Sequence, residues 1–268
     1  MVILAGGIST RWRCHLGVEK HFAPINGVPI IENTIMLLRQ HECEVSIIVR
    51  EGLERSYDKY SVNISPIPLE FSSLEYYKIK STIPFWNSSG KTVVIMGDVW
   101  FTKNAIEKIL RYNSRKLMFY GRQKRNFYTG CEHGEIFAFS FWPEHFDTMK
   151  EAVNTLERFI QEKSIRIAGG WGLYDIVSSL TFLMYPQVIK GFVRNSNFKR
   201  IVDVTDDVDT PDDYLHLVAC LQKHRVSHLC YSILTIAYYS SLFVFNMFFE
   251  AYVYLRKVFA KQEIEINS

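Results

Sequence analysis

The chain has 268 residues, 48% of them apolar, and a formal net charge of +3. That is enough apolar side chain for the core of one α/β domain with an appendage, and the basic residues are scattered rather than massed, which argues against a nucleic-acid partner. The five cysteines (Cys14, Cys43, Cys131, Cys220 and Cys230) form no C-x-x-C pair and no zinc spacing, so they read as reduced thiols.

The first element is Met1-Val2-Ile3-Leu4, an apolar run suited to a buried strand and too short for a secretory leader, so a cytoplasmic start is expected. It breaks at Ala5, Gly6 and Gly7 into a loop carrying Ser9, Thr10, Arg11 and Lys20. Glycine lets a backbone turn tightly and aim its N–H groups at an anion, while Arg11 and Lys20 add full positive charge. The stretch predicts a seat for a nucleoside triphosphate, made by Leu4, Ala5, Gly6, Gly7, Ser9, Thr10, Arg11 and Lys20.

Leu4 to Arg11, then Gly17-Val18-Glu19-Lys20, then Ile25-Asn26-Gly27-Val28-Pro29, resembles the opening signature of the MobA-like nucleotidyltransferases. The resemblance implies an α/β, Rossmann-like GT-A-type fold, with a mixed, mostly parallel sheet flanked by helices. It also implies transfer of a nucleotidyl group from a nucleoside triphosphate to a phosphorylated acceptor, with Mg²⁺ and release of pyrophosphate. Two departures stand out: Arg11 is followed by Trp12-Arg13, and three more residues than usual separate Arg11 from Lys20.

Further along, Pro29 to Gln40 carries Ile31, Ile35 and Leu38 at helical spacing, and Val45 to Val49 is a second buried strand, a layout that favours a parallel crossover. A polar stretch, Glu51 to Ser65, leads to Phe71-Ser72-Ser73-Leu74 ahead of an amphipathic segment ending near Ile83. In the resembled cytidylyl- and uridylyltransferases a similar step lies against base and ribose, which makes Ser72 and Ser73 nucleotide-binding candidates; either could equally cap a helix. Molybdenum-cofactor guanylyltransferases have a Gly-Pro-Leu-Ala-Gly type stretch there, so the difference favours CTP.

Thr92 to Met96 is the strongest central strand and ends in Gly97-Asp98, with Gly97 a further nucleotide-binding candidate. A carboxylate just past the carboxyl end of a central strand lies where open α/β sheets bind ligands. The resemblance implies that Asp98 holds Mg²⁺; the alternative is that it caps the helix Lys103 to Tyr112. Strands are expected at Lys116–Tyr120 and Gly134–Phe139, with Arg122, Lys124 and Arg125 in the hairpin between them as candidates for the acceptor phosphate. Glu132 and His133 carry no metal signal. An amphipathic helix, Pro143 to Lys163, is followed by a flexible Ala168–Gly172 and a helix from Leu173 to Met184. Trp171 and Tyr174 there are either acceptor-pocket walls or packing anchors.

Near the end, Thr210, Pro211 and Asp213 spell a helix start, which leaves Asp207 and Asp209 unexplained. Acids two apart on an extended segment project together and repel unless a cation lies between them. The string resembles the family's closing Asp-x-Asp-Thr-Pro-Glu-Asp motif, which implies a second Mg²⁺ ligand, Asp209 before Asp207. From Leu229 to Phe249 no residue is charged; a membrane span, a surface anchor on the cytoplasmic face, a homo-oligomer contact and burial against the domain all remain open. The expected division is a catalytic domain over 1–225 and a hydrophobic tail over 226–268. Rival readings are a molybdenum-cofactor guanylyltransferase and a non-catalytic nucleotide-binding relative.

Overall fold

The computed structural model describes residues 1–122, 128–131, 133–163, 169–178 and 197–224. Strand β1 (Val2–Ala5) leads through a ribbon, β2 (Pro24–Ile25) and β3 (Val28–Pro29), to helix α1 (Ile30–Arg39), then to β4 (Ser46–Arg50) and β5 (Asn63–Ile67). Helix α2 (Glu75–Lys80) precedes β6 (Thr92–Met96), β7 (Val99–Trp100) and α3 (Lys103–Arg111). The remainder is β8 (Met118–Arg122), β9 (Glu135–Phe141), α4 (Phe146–Gln161), α5 (Gly170–Val177), β10 (Phe198–Arg200), β11 (Asp206–Asp207) and α6 (Pro211–His224). Chain contacts group Met1–Leu221 as one unit and Gln222–Ser268 as a second, of which only Gln222, Lys223 and His224 are described.

Seven strands share one sheet in the order β10-β8-β9-β6-β1-β4-β5. The pairs β1–β4, β1–β6, β4–β5 and β8–β10 are parallel, and β9 alone runs against both its neighbours. The expected mixed, mostly parallel sheet is borne out. Its central strands are apolar at nearly every position because both faces are covered. Ile3, Ile47, Val93 and Ile95 face α1 and α3, whereas Val2, Ile48, Val94 and Phe139 face α4 and α5. Each such fully buried side chain stabilises the fold by about 1.5–3 kcal/mol.

Two elements differ from the expectation. Asn63–Ile67, which overlaps the end of the expected polar connection, is one of the sheet's two edge strands among the described residues, and its Pro66 is tolerated because an edge strand leaves one side unpaired. Helix α5 starts at Gly170 rather than after Gly172; a Cβ at Gly170 would come within 2.8 Å of Ile136, so glycine serves close packing there rather than flexibility. Lys124, Arg125, Glu132, the part of the expected Leu173–Met184 helix beyond Ser178, and the 229–249 run lie outside the described residues. Among the described residues no helix is long and apolar enough to cross a membrane.

Candidate active site

Because β1, β4, β5, β6 and β8 all point one way, the loops after them gather at the same edge of the sheet, where β9 begins. A cleft of about 530 Å³ opens there. Its walls include Leu4, Gly7, Ser9, Thr10 and Arg11 from the glycine loop, Ser72 and Ser73 before α2, and Asp98, Asp207 and Asp209. Gly97 fits because the end of β6 presses on β1: a Cβ there would lie 2.7 Å from the Leu4 carbonyl oxygen, which accepts instead from the Gly97 N–H at 2.8 Å.

Lys20 is the hub. Its Nζ donates to Asp98 Oδ2 at 2.5 Å and to Asp209 Oδ1 at 2.9 Å, and Arg11 reaches the other oxygen, Oδ2, of Asp209 at 2.5 Å. Backbone pairing brings the two acids together. Strand β7 pairs antiparallel with β11, and the Val208 N–H donates to the Asp98 carbonyl at 2.9 Å. Asp98 does not cap α3, since Thr102 does so through a bond from the Ala105 N–H at 3.0 Å. At the start of α6 the Asp213 carboxylate accepts from the N–H groups of Asp209 and Thr210, and the Thr210 hydroxyl accepts from the Asp213 N–H, which fixes the backbone of Asp209. Arg50, at the end of β4, likewise ties down Glu19 beside Lys20 at 2.6 Å.

The charges are mutually stabilised. Burial works against the Lys20 ammonium, but Asp98 and Asp209 outweigh it and raise its pKa. Burial would raise the Asp98 carboxyl, yet the Lys20 charge holds it down at about 2. The neighbouring imidazole of His21 is lowered to about 4, first by burial and then by the charge of Lys20. Deeper along the cleft Glu135 is raised to about 8 by burial and by Asp207.

The unusual loop has a structural explanation. Trp12 is fully buried, gives its indole N–H to the Val18 carbonyl at 2.7 Å, and packs edge-on against Tyr214 with ring centroids 5.8 Å apart. With Ile25, Ile30, Val208 and Leu217 it forms a small core that joins the glycine loop to the acidic segment. The longer loop is taken up by left-handed backbone at Arg13, Cys14 and Leu16. Such conformations strain non-glycine residues and persist where surrounding packing over-determines them.

Three expected acceptor residues are placed elsewhere. Arg122 is buried between Asp206 and Asp207, bonding the latter at 3.0 Å, and its Nε donates to the His133 carbonyl at 2.9 Å. Only 5% exposed and held by both carboxylates, its guanidinium does not line the cleft. Trp171 donates to the Gly134 carbonyl at 3.0 Å and stacks on Phe198, and Tyr174 is buried against Phe119 and Phe198. None of the three borders the cleft, whose wall there is Glu135, Ile136, Gly169 and Gly170. Ala5, Gly6 and Gly97 stand behind the wall rather than in it. Ser72 turns its hydroxyl to the Leu69 carbonyl at 2.6 Å, although it also borders the cleft. Residues that the sequence did not single out are His21, Lys78 and Glu135, all on the cleft wall.

The donor set suits a hard divalent cation. Mg²⁺ binds protein through one or two carboxylates and takes its other ligands from water and phosphate; Asp98 and Asp209 lie close enough to share one ammonium. Among the described residues no group of three or more His, Cys, Asp and Glu side chains could hold a metal ion. An ion here would take its remaining ligands from water or from a bound phosphate.

A single mixed sheet with helices on both faces and a glycine loop at the carboxyl end of its first strand is a Rossmann-like α/β arrangement, which binds ligands at that edge of the sheet. Residues 1–127 match the MobA-like NTP transferase domain, and the resemblance read from the opening residues is thereby borne out. The Mycobacterium sp. strain JC1 homologue of Mycobacterium tuberculosis rv0371c shares the fold at TM-score 0.52 and 19% identity, over 83% of this chain and 96% of that one. A Bacillus anthracis protein provisionally described as a glucose-1-phosphate thymidylyltransferase, crystallised with a sucrose, aligns at TM-score 0.51 and 15% identity over 81% and 93%. The inositol-1-phosphate CTP transferase from T. maritima aligns at 0.50 and 14% over 82% and 95%. No functionally curated protein matches the sequence significantly.

Proposed function

We propose that the protein moves a nucleoside monophosphate group, CMP in the first instance, from its triphosphate to a phosphorylated small molecule and releases pyrophosphate. The observation that carries this is the meeting of Lys20, Asp98 and Asp209 beside the glycine loop, with Arg11 on the same acid. The acceptor phosphate is already ionised, so no general base is needed; alignment and charge neutralisation at the α-phosphorus suffice. In this reading Arg11 and the loop amides hold the leaving β- and γ-phosphates, and Lys20 balances charge at the transferring group. Asp98 and Asp209 would hold Mg²⁺, which supplies Lewis-acid charge at the α-phosphate.

CTP is favoured by Phe71-Ser72-Ser73-Leu74 in place of the guanylyltransferase stretch. The inositol-1-phosphate CTP transferase named above supports an alcohol phosphate as acceptor, and the role we propose with it is surface-polysaccharide synthesis or the activation of a phospho-alcohol. The catalytic unit is proposed to be 1–225, in the cytoplasm, with 226–268 as a membrane anchor or a contact between copies. The test is pyrophosphate release from CTP, UTP, GTP and ATP against a panel of sugar, polyol and amino-alcohol phosphates. CTP should be the best donor; release from GTP alone would redirect the assignment to a guanylyltransferase, and nucleotide binding without release would make the protein a non-catalytic relative.

A further inference from the structure

Among the described residues that border the cleft, Lys78 is a cation with no task in that scheme. It reaches from α2 over the glycine loop: a Cβ added to Gly7 would lie 3.2 Å from its Nζ. Glu75, one turn earlier, accepts from the ammonium and holds the arm in place, and the Lys78 side chain is only 13% exposed. An ammonium has three hydrogens to donate, and one carboxylate does not use them all.

A second observation comes from the same wall. His21 is 98% buried and borders the cleft, yet its Nδ1 has no hydrogen-bond partner. Native proteins rarely leave a buried polar atom unpaired unless a ligand or water completes it. The ring is neutral at physiological pH because burial, then Lys20, hold its pKa near 4. Two ammonium groups with hydrogens to spare, an unpartnered ring nitrogen and the glycine loop all belong to residues that border the cleft, a set of donors that suits a chain of anionic oxygens.

We propose that Lys78 and the Nδ1 of His21 bind the phosphate chain of the nucleotide together with the glycine loop, Lys78 as a charged donor and His21 as a neutral one. This rests on the nucleotidyl-transfer reading and assigns α2 to the triphosphate seat as well as to the base side of the cleft. Glu75 then sets the reach of Lys78 rather than touching the nucleotide.

The test is calorimetric titration, in Mg²⁺, of CTP and separately of inorganic pyrophosphate into the full chain and its variants. Lys78→Met should weaken both ligands by a similar factor, roughly tenfold or more, because both lose the same charge-assisted bond, and Lys78→Arg should restore most of it. His21→Phe, which keeps a buried ring without its nitrogens, should weaken pyrophosphate by about threefold or more. Weaker CTP binding with unchanged pyrophosphate binding in Lys78→Met would overturn the proposal and make Lys78 a base or ribose contact; unchanged binding of both would also overturn it. Unchanged pyrophosphate affinity in His21→Phe removes His21 from the seat. If the unaltered protein binds neither ligand, the nucleotide reading itself fails, and this one with it.

Discussion

Lys20 lies between Asp98 and Asp209, and Arg122 lies between Asp206 and Asp207, two or three residues back along the same acidic run. In the first triad the lysine side chain is 11% exposed and its acids 27% and 25%. In the second the arginine is 6% exposed and Asp206 3%. A lysine offers a compact charge on a flexible stem, whereas a guanidinium is a rigid fork that locks to carboxylates in one plane. Arg122 therefore fastens the end of β8 to β11, and that fastening positions the acidic run so that Asp209 meets Lys20. The lysine triad faces the cleft and its charges can be exchanged for those of a ligand; the arginine triad is closed.

The contrast breaks most sharply on Asp98. Asp98→Asn should lower turnover by about a thousandfold or more, about 4 kcal/mol in the barrier, while the protein stays folded and its denaturant midpoint falls by less than that of Arg122→Met. Arg122→Met should do the reverse. It leaves Asp206 buried without a counter-charge, so unfolding free energy should fall by about 3 kcal/mol, read from urea titration. If Arg122→Met instead folds as stably as the unaltered chain, the closed triad is not structural, and the acceptor role first expected for Arg122 returns.

That misplacement shows what a linear reading can reach. Strands β1, β4 and β6 and helices α1, α3 and α4 were legible because their apolar residues recur with the period of a buried strand or of one helical face. The glycine loop, Asp98, and the helix start at Thr210 were legible because their chemistry is local. The partner of Arg122 was not: it lies 84 positions away, in a run where Asp206, Asp207 and Asp209 look alike, and only the β7–β11 pairing separates them. Trp12 read as a departure in the nucleotide loop, yet its contacts are with Tyr214 and Val18. Lys78 stood in an ordinary amphipathic helix, and nothing local showed that α2 lies over Gly7.

The open triad makes a smaller, subtler prediction. If Lys20 stands in the metal-free protein where a divalent ion would otherwise neutralise Asp98 and Asp209, then Lys20→Met leaves two like charges facing each other with nothing between them. Mn²⁺ affinity measured without nucleotide should then rise by roughly tenfold, about 1.4 kcal/mol, and Asp98→Asn in the same background should cancel the gain. Equal Mn²⁺ affinity in the two proteins would mean that the ammonium and the ion do not compete, and the two triads would be more alike than their exposure suggests.

The smallest effect concerns the cleft wall beside the closed triad, where Glu135 is raised from 4.5 to about 8 by burial and by Asp207. Between those values the folded protein holds a proton that the unfolded chain has released, so stability falls as pH rises. Asp98 acts at the other end of the scale: lowered from 3.8 to about 2, its contribution is present above 3.8 and is lost as pH falls toward 2. His21, lowered from 6.5 to about 4, also costs stability only below 6.5, and Asp207, raised to about 6 by burial, has largely finished titrating by then. The window from pH 6.5 to 8 thus isolates Glu135 among the shifted carboxyl and imidazole groups. Glu135→Gln should flatten the decline there, with a difference of about 1 kcal/mol against the unaltered protein at pH 8, discounted for the partial exposure of the group. Thermal melts at half-unit steps decide it: parallel curves for the two proteins would mean that Glu135 ionises normally and that the wall beside Arg122 is as open to solvent as the one around Lys20.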